Sequence, residues 1–173
     1  MAGPQATPTE SSRMRPTLYL ETTIPSYLTA RPSRDPLLSG QAAATKHWWR
    51  LRRRDFDLFI SQLVLDESRR GDAGAAARRM RILAGLPRWP VTPEVDRLAE
   101  AILQRHLLPP KAAIDAFHIA TATVHGAHFL LTWNCAHINN REMLPQVERL
   151  CRDHGHEFPV VCTPLELMGV STT

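Results

Sequence analysis

With 173 residues, 43% of them hydrophobic, the chain can enclose one ordinary core, and it contains no apolar run near the roughly 18 to 20 residues of a membrane span and no secretory signal core. Lys and Arg number 21 against 17 Asp and Glu, and a sequence pI of about 9.4 favours a polyanionic partner without identifying it. The three cysteines, Cys135, Cys151 and Cys162, form no Cys-x-x-Cys pair, which argues against a disulfide framework or a thiolate zinc site and fits a reducing, cytoplasmic setting.

Residues 1–16 are rich in Pro, Thr and Ser with little to bury, and are expected to be a disordered tail ahead of one domain spanning 17–173. Leu18-Tyr19-Leu20 reads as a buried strand that delivers the polar turn Glu21-Thr22-Thr23 at its C-terminal end, followed by Pro25. A helix is expected from about Leu37 to Arg54, its C-terminal part mixing cations with tryptophans. Leu58-Phe59-Ile60 makes a second strand, and Ser61 is placed to cap a helix running to about Arg70, where Gly71 can end it.

Ala73 to Leu86 predicts a further helix, Trp89 to Val91 an extended piece, and Thr92-Pro93-Glu94 the capped start of a helix to about His106. Pro109-Pro110 breaks the chain before an apolar helix over Lys111 to His125 that ends at Gly126. His128 to Thr132 is the next strand, with Trp133-Asn134-Cys135 as its C-terminal loop. A helix around Glu142 to His154, a strand near Val160-Val161 and a short helix after Thr163-Pro164 complete the chain. Short apolar strands alternating with helices predict an α/β fold, a mostly parallel central sheet with helices on both faces and sites beyond the C-terminal strand ends.

Four positions stand out chemically. Glu21 leaves the first strand at the mouth of the sheet, where an acid either caps the next turn or serves a site. Glu67 shares a helix face with Leu63 and Val64, whereas Asp66 faces Gln62, Arg69 and Arg70. Asp66 is therefore the expected solvated ion pair, and Glu67 the acid turned toward apolar neighbours, where burial is costly without a compensating cation or an Arg70 partner. Asp115 interrupts an almost uncharged helix and needs a partner; Lys111 lies one turn earlier and His118 one turn later. Asn134 can orient a water or a carboxylate, or be an ordinary turn asparagine.

Oxygen acids converging on one pocket suit Mg²⁺ or Mn²⁺, and such a site can hold a water for in-line attack at phosphorus. No His-Glu-x-x-His, Gly-x-x-x-x-Gly-Lys or Gly-x-Gly-x-x-Gly pattern occurs, which removes the usual supports for zinc catalysis, nucleotide hydrolysis and hydride transfer.

Tyr19-Leu20-Glu21-Thr22-Thr23-Ile24, Ser61 to Glu67, Ile114-Asp115-Ala116-Phe117-His118-Ile119-Ala120-Thr121-Ala122 and Leu130-Leu131-Thr132-Trp133-Asn134, in that order, resemble the PIN-domain family and in particular its VapC-like toxins. The resemblance spans roughly Leu18 to Met168 and implies a three-layer PIN-like fold with Mg²⁺- or Mn²⁺-dependent endoribonuclease activity. It further implies a cognate antitoxin and a homodimer. Carried over position by position, the family's acids fall on Glu21, Glu67 and Asp115, its last acidic position on the neutral Asn134, and its small hydroxyl residues on Thr22 and Thr132. Glu21 stands where Asp is usual, and Asn134 removes one charge, which predicts weaker cation binding.

Trp48, Trp49, Arg50, Arg52, Arg53 and Arg54 offer a stacking and phosphate-contacting surface for RNA, with Arg50 and Arg53 as the candidate substrate contacts; cations suited to a helix C-terminus with one tryptophan packed inward are the other account. The competing functions are a catalytically attenuated module that binds RNA or a protein partner, and a metal-dependent phosphatase, which lacks an Asp-x-Asp motif after the first strand.

Overall fold

A computed structural model describes residues 14–169 and places five strands in one parallel sheet. The strands are β1 (Thr17–Leu20), β2 (Asp57–Ser61), β3 (Arg88–Trp89), β4 (Phe129–Leu131) and β5 (Val160–Cys162), in the order β3-β2-β1-β4-β5. Their interiors are runs such as Leu-Tyr-Leu and Phe-Leu-Leu, the near-continuous apolar pattern of strands covered on both faces.

The helices are α1 (Thr23–Leu28), α2 (Pro36–Leu51), α3 (Gln62–Ser68), α4 (Ala73–Leu83), α5 (Pro93–Gln104), α6 (Ala113–Val124) and α7 (Leu144–Asp153). From β1 the chain steps outward to β2 and β3, then returns past β1 to β4 and β5. Right-handed crossovers therefore put α1 to α4 on one face and α5 to α7 on the other, in agreement with α1 packing on α2 and α4, and α5 on α6 and α7. The expected three-layer α/β fold is the observed one. The direction reverses between β1 and β4, and the crevice beyond their C-terminal ends is the place where such a sheet leaves room for a site.

Several boundaries differ from those expected. The polar turn after β1 tightens into α1, with Pro25 in its first turn, where the missing N–H has no helical acceptor to lose. The long helix stops at Leu51 and gives way to a 3₁₀ turn over Arg53–Asp55, and the helix over 73–86 ends at Leu83. Thr92 caps α5 as expected, its hydroxyl accepting the Val95 N–H at 3.3 Å. Gly126, at φ +67°, turns the chain sharply after α6 into β4. Most of the expected N-terminal tail lies outside the described residues; Arg15, near its end, pairs with Asp57 at 2.8 Å. Among the described residues no helix is long and apolar enough to cross a membrane.

Candidate active site

Glu21 follows the last residue of β1 and is bonded to the neighbouring strand by its backbone, whose N–H donates to the Leu131 carbonyl at 3.1 Å. Its side chain is 4% exposed. Oε2 accepts three hydrogen bonds, from the Thr23 N–H (3.0 Å), the Thr23 hydroxyl (2.5 Å) and the Thr132 hydroxyl (2.8 Å). Oε1 has no protein donor among the described residues.

Glu67 projects from α3 toward the same crevice. Its Oε2 accepts from the Thr22 hydroxyl at 2.5 Å and lies 2.8 Å from His118 Nε2 on α6, while its Oε1 is again without a donor among the described residues. Half-burial pushes the Glu67 carboxyl up, but the hydrogen bonds from His118 and Thr22 outweigh it and hold the group below the usual carboxylate value. Behind His118, Nδ1 meets the Tyr19 hydroxyl at 2.8 Å, and that hydroxyl meets Ser61 Oγ at 2.7 Å. Tyr19, His118 and Ser61 are fully buried, and burial raises the Tyr19 phenol far above its ordinary value.

Asp115, one turn before His118 on α6, is not partnered by Lys111. Its Oδ2 lies 2.8 Å from His137 Nδ1, in the loop after β4, leaving Oδ1 free of protein donors among the described residues. Asn134 shapes that loop: its Oδ1 accepts the His137 N–H (3.1 Å), its carbonyl accepts the Asn139 N–H (2.8 Å), and its own N–H donates to Thr132 Oγ1 (2.9 Å).

The fold thus gathers the sequence-derived acids at one strand end. Glu21, Glu67 and His118 each offer a ligand atom within 4.8 Å of the others, a grouping that does not include Asp115. Thr22 and Thr132 lie beside them, but both hydroxyl protons are spent on the acids, so toward a ligand they present lone pairs only. Asn134 is at the crevice with its side chain turned into its own loop. Arg50 and Arg53 are not brought to the acids: Arg50 is on the last turn of α2 against His47, and Arg53 sits over the Trp49 ring at 5.0 Å. Arg53 shares a cleft with Arg15 and Asp57, at the opposite end of the strands from Glu67.

Trp48 is wholly buried, and Arg52 binds Asp55 and the carbonyls of Leu167 and Met168, so neither belongs to an exposed RNA surface. Asp66 forms the expected exposed pair with Arg69 at 2.9 Å. Sequence reasoning passed over Tyr19 and His137 and left His118 undecided. The available signal was a histidine three positions after each of Asp115 and Asn134, although the pairing crosses over between elements.

Glu21 and Glu67, each held through one oxygen and free at the other, offer oxygen ligands of the kind a hard divalent cation takes, the bound oxygens fixing orientation and the free ones supplying charge and lone pairs. Asp115, held the same way, stands outside that grouping.

The sequence matches the family model described as PIN domain over residues 19–134. None of the curated proteins matches it. Among solved structures, Mycobacterium tuberculosis VapC20, a toxin that cleaves the sarcin–ricin loop, is 20% identical with a TM-score of 0.52, covering 66% of this chain and 87% of that one. VapBC2 of Rickettsia felis, bound to a DNA fragment from its promoter, is 15% identical with a TM-score of 0.53, covering 85% of this chain and 98% of that one.

Proposed function

The chain belongs to the PIN-domain family, and from that membership and the carboxylate cluster we infer that it is a metal-dependent endoribonuclease, the toxin half of a type II toxin–antitoxin pair. The single observation that carries the reading is that Glu21, Glu67 and Asp115 arrive from three separate elements, each clamped by one oxygen and open at the other. Mg²⁺ or Mn²⁺ held by those open oxygens would lower the pKa of a bound water and offset charge at a phosphodiester.

The chain's own residues do the rest. Thr23 and Thr132 fix Glu21, Thr22 and His118 fix Glu67, and His137 fixes Asp115, so the acids are set before substrate arrives and need little reorganisation. The hydrolysis joins a water oxygen to phosphorus, breaks the bond to the leaving ribose oxygen and returns a proton to it. A formal charge of +4 suits a polyanionic substrate, and the resemblance to VapC-like toxins makes that substrate RNA. By the resemblance, a cognate antitoxin restrains it and it works as a cytoplasmic homodimer, a setting that suits three free cysteines.

The test is cleavage of a mixed RNA pool by purified, antitoxin-free protein with Mn²⁺, Mg²⁺ or EDTA, with Asp115→Asn in parallel to exclude contaminating nuclease. Metal-dependent cutting lost in the variant is the expected result. A folded wild type that is inert under all three conditions would move the reading to an attenuated RNA- or protein-binding module, which the neutral Asn134 favours.

A further inference from the structure

We propose that His118 is a positioning residue and not a ligand: Ser61, Tyr19 and His118 form a one-way chain of hydrogen bonds that turns the free oxygen of Glu67 toward the cation. The proposal rests on the metal-dependent reading above and adds the device that orients one of its acids.

Both imidazole nitrogens are already engaged, Nε2 at 2.8 Å from Glu67 Oε2 and Nδ1 at 2.8 Å from the Tyr19 oxygen. Glu67 Oε2 also accepts the Thr22 hydroxyl at 2.5 Å, so it acts as an acceptor and Nε2 must carry the hydrogen. In a neutral ring Nδ1 then accepts, Tyr19 O–H donates to it, and the Tyr19 oxygen takes the Ser61 hydroxyl at 2.7 Å. Every proton in the chain points toward Glu67. Metal ligation through Nε2 requires the other tautomer, which would set a nitrogen lone pair against a carboxylate lone pair at hydrogen-bond distance.

Two further observations support the chain. Ser61 occupies the N-cap position of α3, where serine ordinarily accepts a helix N–H, yet it makes no cap bond and is used on Tyr19 instead. Tyr19, Ser61 and His118 are each 0% exposed, so no solvent competes for these protons. Thr22 and His118, from opposite faces of the sheet, hold the same oxygen, and this fixes carboxylate rotation with Oε1 outward.

The experiment is Mn²⁺ titration calorimetry without RNA on the full chain and on His118→Leu, His118→Gln and Tyr19→Phe. It is joined by ¹⁵N NMR of the imidazoles and by electron spin echo spectroscopy of bound Mn²⁺. A glutamine amide N–H can reach where Nε2–H stood. His118→Leu should weaken Mn²⁺ binding about 10- to 100-fold, as loss of such supporting partners does, and His118→Gln should recover most of it. NMR should find His118 protonated at Nε2 alone, in wild type and in Tyr19→Phe alike because Glu67 still takes that hydrogen, with the Nδ1 resonance moving downfield in Tyr19→Phe as it loses its donor. The spin echo should show no directly bound nitrogen.

A nitrogen on Mn²⁺, a His118→Leu variant that binds like wild type, or an Nδ1 resonance indifferent to Tyr19→Phe would each overturn the proposal. If His118→Leu does not fold, the NMR of wild type and Tyr19→Phe decides. Wild type that fails to bind Mn²⁺ overturns this proposal and the metal-dependent reading together, whereas Mn²⁺ binding as expected without RNA cleavage overturns only the nuclease.

Discussion

Asp115 and His137 meet at 2.8 Å across the mouth of the sheet, so the acid of α6 is held by a residue 22 positions later and not by its own helix. His118, one turn from Asp115, reaches instead to Glu67. Each histidine thus ties a carboxylate from a different element, and the two pairs brace α3, α6 and the loop after β4 against one another.

Asp115→Asn keeps an oxygen that can accept from His137 and changes no volume, so the fold should persist, with an unaltered circular dichroism spectrum. The lost charge belongs to the cation-facing group. RNA cleavage should fall by roughly 100-fold or more, the scale on which removing one preorganised electrostatic group from a reacting centre acts. Retained cleavage in the folded variant would remove Asp115 from the site.

Asn134 is the neutral residue at the family's last acidic position, and its side chain is committed to the His137 N–H. An aspartate there could make the same bond and stay turned into the loop. Asn134→Asp should therefore tighten Mn²⁺ by less than about fivefold, a distant-charge effect of up to about 1 kcal/mol. Asn134→Ala should cost about 1 kcal/mol of stability through the unpaired N–H and should reduce cleavage as His137 loosens. Calorimetry and denaturant midpoints measure both.

Glu67 is held below its ordinary value, which sets the sign of a pH effect. A carboxylate depressed in the folded state contributes stability above its unfolded pKa, about 4.3, and that contribution is lost as pH falls through the folded value. Glu67→Gln cannot titrate. The difference in urea midpoint between wild type and Glu67→Gln should be constant from pH 7 to about 5 and shrink below about 4. A difference that grows on acidification would mean that Glu67 is not held as an ionised acceptor.

The acids were legible in the sequence because each is a charge in an apolar setting: Glu21 after Leu-Tyr-Leu, Glu67 beside Leu63 and Val64, Asp115 within Ala112 to Phe117. Their partners were not, because Tyr19 with His118, or Asp115 with His137, are brought together only by the crossover that lays α6 over β1 and β4. Ser61 shows the same limit at one residue. Local pattern assigns it a helix cap, and it does stand at the N-cap position, but its hydroxyl bonds Tyr19, 42 positions away. Element types followed from apolar runs and Gly or Pro punctuation, whereas α1 was hidden by Pro25, which favours a turn and a first helical turn equally.

Trp48 separates the two accounts of the Trp-Arg segment. As part of an RNA surface its removal would cost affinity and leave stability intact; as a core residue it should do the reverse. Its ring is 0% exposed and packs near Phe56, with centroids 6.0 Å apart, on the inner side of α2. Trp48→Ala should therefore destabilise the protein by about 3–5 kcal/mol, the usual cost of emptying a large aromatic site. Arg53→Ala, which removes only a surface cation over Trp49, should cost about 1 kcal/mol or less. RNA affinity measured on the folded fraction should be unchanged in Trp48→Ala and, because Arg53 lies at the far end of the strands from the acids, nearly unchanged in Arg53→Ala. A tenfold loss of RNA affinity in Arg53→Ala without loss of stability would instead extend the substrate path along α2 to that end of the sheet.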